Sequence, residues 1–319
     1  MTTNLPEDPQ NAPVICIVGP TASGKTDVAQ LLALENDGEI VSADSMQIYR
    51  GMDIGTGKLP EEQRLVPHYG FDLADPGEAY SAAVYQTYAR SCFRDISSRG
   101  KRPFLAGGTG LYVRAAIDAY DFPKGDQVDN PVRERWTAFA NEHGAQALWD
   151  KLQETDPESA AVVHPNNVRR VVRAFELLAE GTSYAEQKRN LSHIPQAVPA
   201  IFIGLAVNPE LLKKRIDVRV DRMIEQGLVE EVEALLASGF REGITAPQAI
   251  GYKEIVAALD GAIALDEAIA QIKQATRRYA KRQRTWFRKD KRITWINADS
   301  GNAQAIATCA QQFIDTIQG

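Results

Sequence analysis

The sequence predicts an α/β fold: a parallel sheet flanked by helices, interrupted by a small all-helical insertion. Three observations carry this. An unbroken apolar run, Val14 to Val18, leads into a glycine-rich turn and then a helical pattern, as in a strand buried on both faces of a parallel sheet. Short apolar runs and helical stretches then alternate, which is the pattern of an α/β sheet binding its ligands at the carboxyl ends of its strands. Third, the segment 123–199 contains polar helical stretches and no convincing strand.

Taken in order, residues 1–12 are polar and Pro-rich, without the basic and apolar regions of a signal peptide, and read as a disordered tail. After the first strand a helix is expected to about Ala33, then a short strand Glu39 to Ala43 ending at Asp44. A helix is expected over 81–98 with Gly100 as terminator, then a strand Phe104 to Ala106 running into Gly107-Gly108-Thr109-Gly110. Pro123, Gly125, Pro131, Pro195 and Pro199 mark the edges of the insertion. Beyond it come a strand at 200–207, helices at 209–237, 247–259 and 264–289, a strand Ile293 to Ile296, and a closing helix. The expected division is therefore a core of 13–122 with 200–319, and an insertion of 123–199.

Composition removes several classes. Of 319 residues, 44% are apolar and 24% charged, ordinary values for a folded soluble chain. No apolar run approaches the ~18 residues needed to span a bilayer, so no membrane association is expected. Cys16, Cys92 and Cys309 are scattered, which argues against a disulfide framework or a zinc site and fits a reducing cytoplasm. His68, His143, His164 and His193 are not at metal spacing. The net charge of −6 conceals a basic stripe: Gln271 to Arg292 holds ten Lys or Arg and one acid, Asp290. Arg277, Lys281, Arg284 and Arg288 recur there at three- and four-residue spacing, with few acids to pair them, which favours a nucleic-acid partner. Tyr279, Trp286 and Phe287 interleave and are expected to pack inward.

The motif with the clearest chemistry is Gly19-Pro20-Thr21-Ala22-Ser23-Gly24-Lys25-Thr26, which fits G-x-x-x-x-G-K-[ST] between a strand and a helix. Such a loop aims backbone N–H groups and a helix N-terminus at phosphate oxygens. Lys25 adds a charge, and the Thr26 hydroxyl can coordinate Mg²⁺. The sheet is thereby P-loop NTPase-like, though the loop does not reveal which phosphorylated compound it holds. Asp44, at the next strand end, could hold Mg²⁺ or accept a proton from a nucleophile.

Five segments resemble the bacterial tRNA dimethylallyltransferases (isopentenyl-pyrophosphate:tRNA transferases): Asp44 to Lys58, Gly107 to Tyr112, His164 to Asn167, Gln248 to Lys253, and Thr276 to Phe287. The similarity runs over about 14–297. It implies transfer of a dimethylallyl group from dimethylallyl diphosphate to the exocyclic amine of the adenosine 3′ of the anticodon. It implies Asp44 as the base, Thr109 beside the leaving oxygen, and Arg219 with Lys25 on the diphosphate. It further implies tRNA contacts at Asp44, Ser45, Met46, Gln47, Thr109, Arg133, Arg169, Arg170, Val171, Val172 and Arg173, and at Gln248, Ala249, Ile250, Gly251, Tyr252 and Lys253. The insertion would then grip the anticodon stem. Gly57 stands where alanine is frequent in the family, and Tyr69 where a second histidine often follows His68. A monomer is expected. The rival readings are a P-loop small-molecule kinase, a prenyltransferase acting on free adenylate, and a non-catalytic RNA-binding protein.

Overall fold

In the computed structural model, residues 12–122, 130–191 and 194–318 are described. The expected tail, apart from Ala12, and the edge residues Pro123 and Gly125 lie outside them, as does His193. The chain divides into two compact units, residues 1–118 with 196–319, and 119–195. Each junction falls four residues before the one expected from the sequence. The reason is local: Ala197 and Val198 N–H both donate to the Ile117 carbonyl, so the returning chain already belongs to the core.

The core unit is a six-stranded sheet in the order β3-β2-β4-β1-β5-β6, all pairs parallel. The strands are β1 (Val14–Val18), β2 (Gly38–Ser42), β3 (His68–Tyr69), β4 (Arg102–Gly107), β5 (Ala200–Ala206) and β6 (Ile293–Asn297). Every residue of β1 and β2 is buried, as expected for strands covered on both faces. Parallel pairing needs crossovers, supplied by α1 (Lys25–Glu35), α2 (Ala82–Ser98), α3 (Gly110–Ile117), α8 (Pro209–Glu225), α9 (Leu228–Leu236), α10 (Tyr252–Leu259) and α11 (Leu265–Phe287), while α12 (Ala303–Gln318) follows β6.

Two readings of the sequence change. The single helix expected over 209–237 breaks at Gly227, which takes φ 98° and separates α8 from α9. The helix expected from 247 begins only at Tyr252, because Gly251 takes φ 97°. The two-residue strand β3 and the helix α3 were not foreseen.

The second unit contains α4 (Pro131–Thr155), α5 (Pro157–Val162), α6 (Val168–Ala179) and α7 (Tyr184–Leu191). Its core gathers Leu148, Leu152, Val171, Val172 and Phe175, with Trp136 stacked on Phe175 at 3.8 Å between centroids.

Candidate active site

The phosphate loop follows β1 directly. Gly24 precedes α1 in the left-handed region, φ 84°, which turns the chain so that the first amides of α1 open toward the cleft. Lys25 folds back over the loop, its Nζ donating to the Pro20 carbonyl at 3.2 Å. Burial pushes Lys25 down to about 8, against the pull of Asp44 and with the push of Arg219. Within the loop, the Ser23 hydroxyl is buried with no hydrogen-bond partner among the described residues.

Lys25, Thr26 and Asp27 line a cleft of about 890 Å³, whose far wall is α8 with Lys214, Arg219 and Arg222. Arg219 Nη2 donates to the Thr56 carbonyl at 3.3 Å and lies so close over Gly57 that a β-carbon there would come within 1.9 Å of it. An alanine at 57 would therefore displace the guanidinium. Burial lowers the pKa of Arg219 from its ordinary value, while Asp44 and Asp27 pull it back up. Asp44 thus acts electrostatically on both cleft cations, Lys25 and Arg219.

Asp44 sits just past β2. Its Oδ1 accepts the Met46 N–H at 3.0 Å, which curls the loop back on itself. Thr109 caps the neighbouring β4 turn: its Oγ1 accepts the Ser45 N–H at 3.1 Å, and its own N–H donates to Ala43 at 3.1 Å. Adjacent strands β2 and β4 therefore bring Asp44 and Thr109 together. Tyr279 of α11 faces Thr109 and Gln283; burial, then the Asp44 charge, push its hydroxyl up to about 12.

Gln47 is consumed internally. Its Oε1 accepts from Ser42 at 2.8 Å, and its Nε2 donates to the Thr56 and Gly57 carbonyls. The 53–55 backbone is clasped by Glu231, whose carboxylate accepts the N–H groups of Asp53, Ile54 and Gly55 at 2.7–3.2 Å and the Tyr252 hydroxyl at 2.6 Å.

The expected nucleic-acid residues divide by exposure. In the core, Gln248, Lys253 and Lys281 are exposed. Ala249 and Tyr252 are buried, so the side chain of Tyr252 braces the 53–55 loop through Glu231. Arg277 is tied to Asp217, yet it lines a groove of about 440 Å³ with Lys213, Lys281, Arg284 and Arg288. In the insertion, Arg169 and Arg170 are exposed, whereas Val171 and Val172 are 0% and 4% exposed. Their side chains belong to the insertion core, which corrects the expectation that the whole run 169–173 presents itself outward. Arg133 and Arg173 both bond Glu176. Of the three aromatics expected inside, Phe287 is buried and Tyr279 half-buried, but Trp286 is 43% exposed and covers Gly110.

Sequence reasoning missed Asp27, Glu231 and Gln283. Gln283 lies inside the quoted 276–287 segment, but its partners Thr21 and Gly108 are 262 and 175 residues away, and nothing local marks it.

Comparison with known proteins identifies the family and the fold. The IPP transferase family profile matches residues 47–290, and an isopentenyl transferase profile matches 12–66. A tRNA dimethylallyltransferase of Halalkalibacterium halodurans is 47% identical over 89% of this chain and 90% of its own. The crystal structure of a full-length tRNA isopentenylpyrophosphate transferase from Bacillus halodurans superposes with a TM-score of 0.69 at 42% identity, covering 96% of each chain. A eukaryotic dimethylallyltransferase acting on tRNA gives a TM-score of 0.78 at 28% identity, over 96% of this chain and 80% of that one.

Proposed function

The chain belongs to the tRNA dimethylallyltransferase family, and we propose that it transfers a dimethylallyl group from dimethylallyl diphosphate to the exocyclic amine of the adenosine 3′ of the anticodon in tRNA, releasing diphosphate. The observation that carries this reading is the pairing of a phosphate loop with a carboxylate. Asp44 stands close enough to Lys25 and Arg219 to pull on both.

Cleavage of the allylic carbon–oxygen bond leaves negative charge on the diphosphate. The 19–26 loop, Lys25 and Arg219 are the donors that meet it where it develops. The adenine amine is a poor nucleophile because its lone pair is conjugated into the ring. Asp44 takes the proton lost as the new carbon–nitrogen bond forms, while Thr109 steadies the 44–45 backbone beside it. A β2-end carboxylate braced from β4 suits a base that must stay put.

The donor set also suits Mg²⁺. The Thr26 hydroxyl lines the cleft beside the Asp27 carboxylate, and a hard cation needs only one or two protein oxygens when phosphate and water complete its shell. Thr26 and Asp27 would hold it there, and it would supply charge neutralisation to the leaving diphosphate.

For the RNA, extruding a stacked base costs a few kcal/mol. We assign phosphate contacts to the exposed Arg169, Arg170, Gln248, Lys253 and Lys281, and to Arg284. Among the described residues no helix is long and apolar enough to cross a membrane, and a tRNA substrate suits the cytoplasm. The kinase alternative is not favoured, since the relatives that cover nearly the whole chain are prenyltransferases by name. Incubation with labelled dimethylallyl diphosphate, Mg²⁺ and unmodified tRNA tests the reading. Label is expected in tRNA. Label in free AMP, or none transferred, contradicts it.

A further inference from the structure

Among the described residues, the buried Gln283 joins the two halves of the site through its side-chain amide. It is 5% exposed, and both ends of its amide are used. Oε1 accepts the Thr21 N–H of the phosphate loop at 2.8 Å, and Nε2 donates to the Gly108 carbonyl of the turn before Thr109 at 2.9 Å. Only this orientation of the amide satisfies both partners, because a flipped group would set donor against donor and acceptor against acceptor. Thr21 and Gly108 follow adjacent strands, β1 and β4, at their carboxyl ends. Nothing covalent sets the distance between the two loops.

We propose that Gln283 is a positioning residue which sets the spacing between the diphosphate cradle and the turn carrying Thr109, and through Thr109 the loop of Asp44. The inference rests on the prenyl-transfer reading. It follows from what that reaction requires: the leaving group is held by one loop, and the proton acceptor Asp44 stands on a segment that the other loop braces through Thr109. Transfer depends on the separation between them. A misplacement of about 1 Å costs on the order of 10²-fold in rate, whereas each loop alone still binds what it binds.

The neighbourhood has little slack. A β-carbon at Gly108 would stand 2.3 Å from Gln283 Nε2 and 3.3 Å from the Gly19 carbonyl. Gly108→Ala therefore pushes the same amide aside. This supplies an independent way to break one contact without touching α11.

The test uses the full chain and two readouts: the single-turnover transfer rate at saturating dimethylallyl diphosphate and tRNA, and the affinity for inorganic pyrophosphate with Mg²⁺ by calorimetry. Gln283→Met, similar in volume but unable to make either bond, is expected to slow transfer by about 10- to 100-fold and to change pyrophosphate affinity by less than about threefold. Gly108→Ala is expected to do the same in smaller degree. The double variant is expected to be no slower than Gln283→Met within about twofold, because the contact that Gly108→Ala disturbs is already lost in Gln283→Met. A rate within twofold of wild type in Gln283→Met overturns the proposal. So does an equal loss of rate and affinity, or multiplicative losses in the double variant. If Gln283→Met does not fold, Gly108→Ala decides alone: slowed transfer with retained affinity supports the proposal, and an unchanged rate overturns it. Wild-type protein that transfers nothing refutes the functional reading instead, and that is seen before any variant is compared.

Discussion

The core cleft and the insertion treat their positive charges differently. Lys25 and Arg219 of the core cleft donate to backbone carbonyls, those of Pro20 and Thr56. Arg133 and Arg173 of the insertion instead close on one buried carboxylate, Glu176, whose side chain is 1% exposed. A carbonyl is a weak partner that an incoming anion displaces at small cost. A buried carboxylate is a strong one, since leaving it unpaired exposes the full desolvation penalty. The cleft thus keeps its cations available for a ligand, and the insertion spends two of its arginines on folding. The difference teaches that a basic residue's role follows from its partner, and sequence position alone does not supply the partner.

The largest expected effect sharpens the cleft side of the comparison. Asp44→Asn keeps the turn onto Met46 but removes the proton acceptor. The turnover rate should fall by about 10²- to 10⁴-fold while pyrophosphate affinity changes only a few fold. Equal losses of both would assign Asp44 to the metal or to the fold. Rapid-quench transfer assays beside calorimetry separate the two.

Next in size is the insertion. Burial raises the Glu176 carboxyl, but hydrogen bonds from Arg133 and Arg173 outweigh this and hold it below its ordinary value of 4.5. A depressed carboxyl contributes stability that is present above that value and lost as the pH falls below it. Glu176→Gln should therefore destabilise by about 2 kcal/mol at pH 7, less than a fully buried pair because both arginines remain about a third exposed. In denaturant melts, the gap between wild type and variant should begin to narrow once the pH falls below 4.5 and should close only below the depressed folded-state value. A gap that persists at low pH would mean packing, not charge, is lost.

The smallest effect is on pH. Lys25, pushed down to about 8, loses its charge as the pH rises past that value. Pyrophosphate should bind about tenfold more weakly at pH 9 than at pH 7. An affinity flat across that range would contradict the half-buried setting of the lysine.

Most of the fold was legible because parallel, doubly covered strands leave continuous apolar runs, and Val14–Val18 and Ala200–Ala206 are such runs. The short edge strand at His68–Tyr69 escaped because two residues have no period. The phosphate cradle and Asp44 were legible because each sits within a few residues of a strand end. Glu231 and Gln283 were not, for the backbone groups they hold lie 176–178 residues away for Glu231 and 175 and 262 for Gln283. No local pattern records such pairings. Val171 and Val172 show the converse: a motif matched by resemblance carried two residues whose burial pattern already placed them in a helical core.

The most direct measurement is a calorimetric titration of pyrophosphate with Mg²⁺ into three proteins: wild type, Arg219→Gln and Arg173→Gln. The cleft account predicts at least tenfold weaker binding for Arg219→Gln and an unchanged Kd for Arg173→Gln. Equal weakening in both, or none in Arg219→Gln, would contradict it.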